Sequence, residues 1–307
     1  MSKTLHTLRY NGKIGGLYKI WVINVLLSIV TLGIYAFWGK TRTRRYIAAC
    51  TQLHQDRFEY TGTGGELFRG FLRAIPILIV VYLPFILFDP NQDPWVSFFA
   101  LPIFILYFAG MYAAMRYRFS RTTWRGIRGH LGGSAFGYAF RAIGCTIANV
   151  FTLGLFMPYF DMVLYRYFVG HAKFGSQQAT FVREGSLTHV HIITWLLALP
   201  TAMLSRFWYR AALLRHQYGC THIGSIHLQS TYTGGSLLWL FFSNLFILTF
   251  TFGFGTPIVI HRNMRYFTSH THIAGELDSL TVAQSAEPLK HSGEGLETAF
   301  GAESAFM

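Results

Sequence analysis

The sequence predicts an all-α integral membrane protein, with about six transmembrane helices built from a repeated helix module and short β-hairpins and interfacial amphipathic helices at the membrane faces. Three observations lead there. Apolar residues fill 52% of the 307 positions and charged residues only 13%, against about 25% charged in soluble domains. Apolar runs near the roughly 20 residues that cross a bilayer occur at 17–38, 68–88, 95–117, 135–157, 191–209 and 237–260. The third observation is a pattern that recurs along the chain.

That pattern is clearest in three 23-residue windows that align without a gap: NVLLSIVTLGIYAFWGKTRTRRY at 24–46, CTIANVFTLGLFMPYFDMVLYRY at 145–167 and NLFILTFTFGFGTPIVIHRNMRY at 244–266. Thr31, Gly33, Arg45 and Tyr46 correspond to Thr152, Gly154, Arg166 and Tyr167, and to Thr251, Gly253, Arg265 and Tyr266. The spacing predicts an internal duplication. Looser copies end at Met115-Arg116-Tyr117 and Trp208-Tyr209-Arg210. The Thr and Gly positions are expected to break the helix, the Thr hydroxyl bonding a carbonyl that the Gly frees. The Arg-Tyr pairs are expected to anchor lipid headgroups, with the cation on phosphate and the phenol in the aromatic belt.

Taken in order, the N-terminal stretch MSKTLHTLRYNGKIGGLYK has no contiguous apolar core of a signal peptide, so the first span is expected to direct insertion. The second and third spans are joined by DPNQDP at 89–94, a turn that predicts a tight helical hairpin. Pro76 and Pro84 are expected to kink the second span. Glycine pairs precede several helices, in YNGKIGGLYKIW, YTGTGGELFRGFL, HLGGSAFGYAF and YTGGSLLWLF. Glycine there is expected to supply positive φ, and Glu66, Ser134 or Ser236 to complement the first helical N–H groups. Alternation in DRFEY at 56–60 and SIHLQSTY at 225–232 predicts short strands. Residues 1–280 thus form a membrane domain, and the polar stretch 281–307 is expected to be disordered.

Asn24-Val-Leu-Leu27, the Thr-Leu-Gly-Ile-Tyr-x-x-Trp at 31–38, Arg45-Tyr46 and RFEYTGTGGELF at 57–68 together resemble the uncharacterised bacterial inner-membrane family typified by YjgN. The resemblance covers nearly all of residues 5–280. It implies a multi-pass protein of the bacterial inner (plasma) membrane, in a family with no established catalytic residues.

The net charge of +13 sits at the edges of apolar runs, which points to a bilayer with anionic headgroups as partner and not to nucleic acid. With six spans, the face bearing 40–73, 116–128 and 206–215 is the more basic and is expected in the cytoplasm. The alternative makes Thr-Leu-Gly a re-entrant apex and puts all hairpins on one side. Cys50, Cys145 and Cys220 are expected to be free thiols. His189, His191, His261, His270 and His272 have no neighbouring Cys or carboxylate in sequence, so no metal site is expected. Walker, HExxH and GxSxG motifs are absent from the sequence, and no cofactor, catalytic residue or enzymatic activity is expected. Asn24 and Asn244, at matched offsets within spans, form the candidate intramembrane polar site, against the simpler reading that they hydrogen-bond between helices. Arg73, Arg141, Asp161 and Arg206 lie near span ends, where long cations snorkel. Repeats with broken helices suggest a small-solute or lipid transporter or permease. The alternative is a non-catalytic envelope scaffold presenting its hairpins to a partner, either another copy of the chain or an envelope protein.

Overall fold

The computed structural model describes residues 5–89, 91–182 and 185–275; the tail expected from 281 lies outside the described residues. The first unit of the chain is β1 (Leu5–Tyr10), α1 (Ile14–Val30), α2 (Ala36–Cys50) and β2 (Thr51–Leu53). The same order repeats in β3 (Asp56–Tyr60), α3 (Gly64–Leu87), α4 (Ala100–Arg121) and β4 (Thr122–Trp124), with a 3-10 turn over Pro94–Phe99 before α4. A third unit comprises β5 (Ile127–Leu131), α5 (Ala135–Phe151), α6 (Met157–His171) and β6 (Ala172–Phe174). The fourth is β7 (Gln177–Phe181), α7 (Thr188–Leu196), α8 (Arg206–Gly219) and β8 (Thr221–Ile223). The fifth is β9 (Ile226–Ser230), α9 (Gly234–Phe250), α10 (Thr256–His270) and β10 (Thr271–Ala274).

Each strand pairs antiparallel with its neighbours in sequence, and β10 returns to β1 through Leu5↔Ala274, His6↔Ile273 and Thr7↔His272. The ten strands therefore close into an up-and-down barrel. This overturns the six-helix all-α bundle. The hairpins are not separate decorations on two membrane faces; they are the wall of one barrel, and closure satisfies every edge that isolated hairpins would leave open. Alternate strand residues point inward. Leu53, Trp124, Ile226 and Ile273 fill the lumen with Leu8, Phe58, Phe174 and Leu228 packed around them.

The helices are insertions at one rim. Five equivalent backbone bonds tie the start of each helix pair to its end: Asn11 N–H to Cys50 O (2.9 Å), Thr61 to Arg121 (2.8 Å), Gly132 to His171 (2.9 Å), Val182 to Cys220 (2.9 Å) and Thr231 to His270 (3.0 Å). Each pair must therefore leave and return at the same rim, as an antiparallel hairpin with its apex away from the barrel. The tight turns after β2, β4, β6 and β8 lie at the opposite rim.

Only Gly64–Leu87 and Pro94–Arg121 are, among the described residues, helical segments long and apolar enough to cross a membrane. The predicted spans 17–38, 135–157, 191–209 and 237–260 are each interrupted by an apex instead. At three of these the helix ends with a left-handed pair: Leu32 and Gly33 (φ 51° and 90°), Leu153 and Gly154 (51° and 91°), Phe252 and Gly253 (48° and 86°). Gly33 N–H reaches back to Ser28 O and Leu32 N–H to Ile29 O, the Schellman arrangement. The Thr hydroxyl locks it from the side. Thr31 Oγ1 donates to Leu27 O (2.7 Å) and accepts from Tyr35 N–H (2.9 Å), and Thr152 and Thr251 repeat both bonds.

The glycine pairs work differently from the positive-φ expectation, which holds only at Gly133 (φ 72°). A Cβ on Gly64 would meet Trp38 Cα at 2.7 Å, and one on Gly234 would meet Trp208 Cγ at 2.6 Å. These glycines admit an indole from the preceding unit against the helix start.

Candidate functional site

A cavity of about 960 Å³ lies between the barrel interior and the returning helices α4, α6, α8 and α10. Its floor is Phe58, Trp124, Phe174 and Leu228, all inward-facing strand residues. Its wall is mainly apolar, with Met111, Met115, Leu164 and Leu214 among the residues presented. Thr122, Thr123 and three tyrosines, Tyr138, Tyr165 and Tyr218, add hydroxyls, and charged or amide groups are few. Asp161 and Arg210 line it on the apex-ward halves of α6 and α8, and Arg118 and Gln217 lie nearer the barrel.

Asp161 accepts a 2.8 Å hydrogen bond from Tyr209 Oη. Burial pushes its carboxyl above the usual carboxylate range, opposed by the Tyr209 hydroxyl and by Arg210 and Arg206. The Arg206 guanidinium lies 4.9 Å from the Tyr209 ring centre and 3.4 Å from His191 Nδ1. Fully buried His191 bonds through Nε2 to Gly154 O (3.0 Å). This chain of contacts joins the apex of the third unit to the fourth. On the floor, Trp124 is 5% exposed and its indole N–H has no hydrogen-bond partner among the described residues. An indole is a donor only, so this N–H can serve an acceptor atom.

The sequence-predicted residues fall elsewhere. Asn24 and Asn244 do not meet: Asn24 Nδ2 donates to Gly39 O (3.1 Å), whereas Asn244 donates to Asn263 Oδ1 (2.7 Å) and accepts from Arg262 Nε (3.1 Å). Each stitches the two helices of its own unit. Asn24 also borders a separate cavity of about 500 Å³ beside Lys40 and Arg44.

The Arg-Tyr pairs stand at the barrel rim, six and five residues before each short strand. Tyr46 Oη accepts from Lys13 N–H and donates to Lys13 O, both at 2.9 Å. Tyr167 does the same with Ser134, and Tyr266 Oη lies 2.6 Å from Ser236 Oγ. Each phenol thus clips the start of its own unit's first helix. Arg45 is exposed and reaches across to the next unit, donating to Gly62 O (2.8 Å). Arg166 and Arg265 are exposed at equivalent positions.

Arg116, read in the sequence as part of a looser copy, keeps the rim position and donates to Gly132 O (3.0 Å) and Gly133 O (2.6 Å); sequence reasoning missed one member of the series, Arg215, which donates to Tyr232 O. Both occupy the rim position, so the fourth unit's counterpart of the pair is Arg215-His216 and not Tyr209-Arg210. Its apex is Thr201-Ala202-Met203, where Ala202 and Met203 hold the left-handed pair (φ 46° and 69°). The signal was the interval of fourteen residues from Thr201 to Arg215, hidden because no glycine marks this apex. Asp161 and Arg210 were visible only as span-end residues, since nothing in the linear pattern shows that α6 and α8 face a common cavity.

A family model described as "Bacterial protein of unknown function (DUF898)" matches residues 5–201 and 182–299. The inner membrane protein YjgN of Salmonella typhimurium is 33% identical over 124 residues, 40% of this chain and 30% of its own length. YjgN of Escherichia coli O157:H7 is 26% identical over 154 residues, 50% of this chain and 35% of its own length. The aligned part of this chain thus spans about a third of the length of these curated relatives. No solved structure matches the chain significantly.

Proposed function

The chain belongs to the DUF898 family of bacterial proteins, and from that premise we propose that it is an inner-membrane protein that takes an amphiphile, a lipid or lipid-like molecule, into the cavity beneath its barrel. The inner-membrane location follows its relatives. The observation that carries the reading is the cavity itself: about 960 Å³ of mainly apolar wall, within the range of ligand-binding sites. Its charged and amide groups are few and placed, as a ligand with one polar end requires: Arg118, Asp161, Arg210 and Gln217 on the wall, with the Trp124 indole on the floor. The packed lumen of Leu53, Trp124, Ile226 and Ile273 blocks passage along the barrel axis. Uptake and release on the helix side, as in a lipid permease, is therefore favoured over an axial pore for small solutes. The role proposed is binding and exchange of such a molecule. Repetition of one unit by duplication accounts for the common rim contacts.

Leu214→Trp places an indole inside the cavity while keeping an apolar wall. We expect wild-type protein extracted in polymer nanodiscs and released for native mass spectrometry to carry one bound lipid-sized molecule, and Leu214→Trp to lose it at unchanged thermal stability. A wild type that carries no such molecule, and is not stabilised by added phospholipid or fatty acid, would exclude the cavity reading. The scaffold alternative would then gain weight if substitutions in the barrel turns removed a reproducible crosslinked partner.

A further inference from the structure

The five apices differ in a way that matches depth in a bilayer. Leu32, Leu153 and Phe252 are 94%, 77% and 91% exposed, yet each holds a left-handed backbone where glycine would be unstrained. Strain of roughly 1–2 kcal/mol for a non-glycine residue in this region is retained at three separate apices, each time to present a large apolar side chain. The fourth apex exposes Leu199 and Met203. The second is different: Asp89 Oδ1 accepts from Asn91 N–H and Asn91 Nδ2, a polar turn suited to water.

Helix length and charge agree. From these apolar apices a charge is met a short way along at least one helix, at Lys19 and Lys40 in the first unit, Arg141 in the third and Arg262 in the fifth, while α9 of the fifth unit carries no charge over its 17 residues. Those stretches are about 8–16 Å long at 1.5 Å per residue, which is no more than about half of the roughly 30 Å hydrocarbon core. Among the described residues the second unit alone has two segments that pass as full spans, Gly64–Leu87 and Pro94–Arg121. Among the described residues no apex carries Lys or Arg, so the cations all lie barrel-ward of the apices.

We propose that the protein is embedded asymmetrically: the α3–α4 hairpin crosses the membrane, the other four hairpins dip into the near leaflet only, and the barrel stands on the cytoplasmic side. The near leaflet is the one with anionic headgroups, because the barrel-ward cations then lie at its phosphates and the positive-inside tendency is met by one face. The Asp89–Asp93 turn emerges in the periplasm. This arrangement does not depend on what occupies the central cavity.

The test uses the full chain in a Cys50→Ser background, where Cys145 and Cys220 are buried. Asn91→Cys, Gln55→Cys, Ser225→Cys and Leu32→Cys are added singly, and spheroplasts of a bacterial host are treated with a charged, membrane-impermeant maleimide before and after permeabilisation. Variants are scored at wild-type abundance in the membrane, with Asp93→Cys replacing Asn91→Cys if the latter is depleted. Expected are labelling at 91 in intact spheroplasts, labelling at 55 and 225 only after permeabilisation, and labelling at 32 only by an uncharged lipophilic maleimide. Protection of 91 in intact cells, outside labelling at 55 or 225, or labelling of 32 by the charged reagent would each overturn the arrangement.

Discussion

Tyr46 and Tyr167 make the same pair of bonds to a backbone N–H and C=O at the start of a helix, each 33 residues upstream. The first helical N–H groups lack intrahelical partners, so the phenol supplies at the rim what a capping side chain supplies elsewhere. This reading gives the repeated Tyr a structural task distinct from an aromatic belt. Tyr167→Phe removes both bonds and leaves the Ser134 groups under the ring; a loss of about 1–3 kcal/mol is expected, read as a lower unfolding midpoint in detergent. Exposed Tyr159→Phe should leave the midpoint unchanged. Among the rim arginines, Arg116 bridges two carbonyls and Arg45 holds one. A planar guanidinium serves two acceptors better than an ammonium, so Arg116→Lys should lower the midpoint more than Arg45→Lys. Equal effects would point to charge alone.

At the scale of elements, the contacts between units depend on what glycine leaves out. Gly64 and Gly65 are neighbours in the first turn of α3, but a Cβ at 64 would meet Trp38 backbone at 2.7 Å whereas one at 65 would meet nothing within 4 Å. Gly64→Ala is therefore expected to cost about 1–3 kcal/mol through overpacking, and Gly65→Ala to gain up to about 1 kcal/mol through helix propensity. Opposite shifts of the midpoint in the two variants would place the constraint at the Trp38 contact; two equal losses would place it in the turn. The apices show why the sequence misled about spans. An apolar helix of 17 residues, α1, followed by apolar Leu32 and Ile34, has the composition of one continuous span, and only backbone direction separates a crossing from a return. Thr31 and Gly33 marked the break but not the turn.

For the whole molecule, barrel closure is the property least legible in sequence. The strands have three to six residues, too few for alternation to specify partners, and each unit's two strands are separated by a long helical insertion. DRFEY and SIHLQSTY announced two strands, and the triplets announced three apices; that ten strands close into one wall required the register. The seam between β1 and β10 joins residues from opposite ends of the described chain, with Thr7 opposite His272. A Thr7→Cys/His272→Cys pair made with Cys50→Ser should form an intramolecular disulfide under mild oxidation of the purified protein, since directly opposed antiparallel residues lie within the reach such a bond needs. The crosslinked chain should migrate faster on denaturing gels than its reduced form, and it should resist thermal unfolding, because the bridge closes a very long loop. A Thr7→Cys/Gln229→Cys pair, whose second residue lies one strand further round the barrel beside His272, is expected to crosslink far less. Bridging between two chains instead of within one would mean that β1 is exchanged between copies, and the barrel would then be a property of an assembly and not of the single chain. Efficient intramolecular bridging at 7 and 272 is the outcome that a closed barrel requires and that a six-helix bundle with hairpins on both faces could not give.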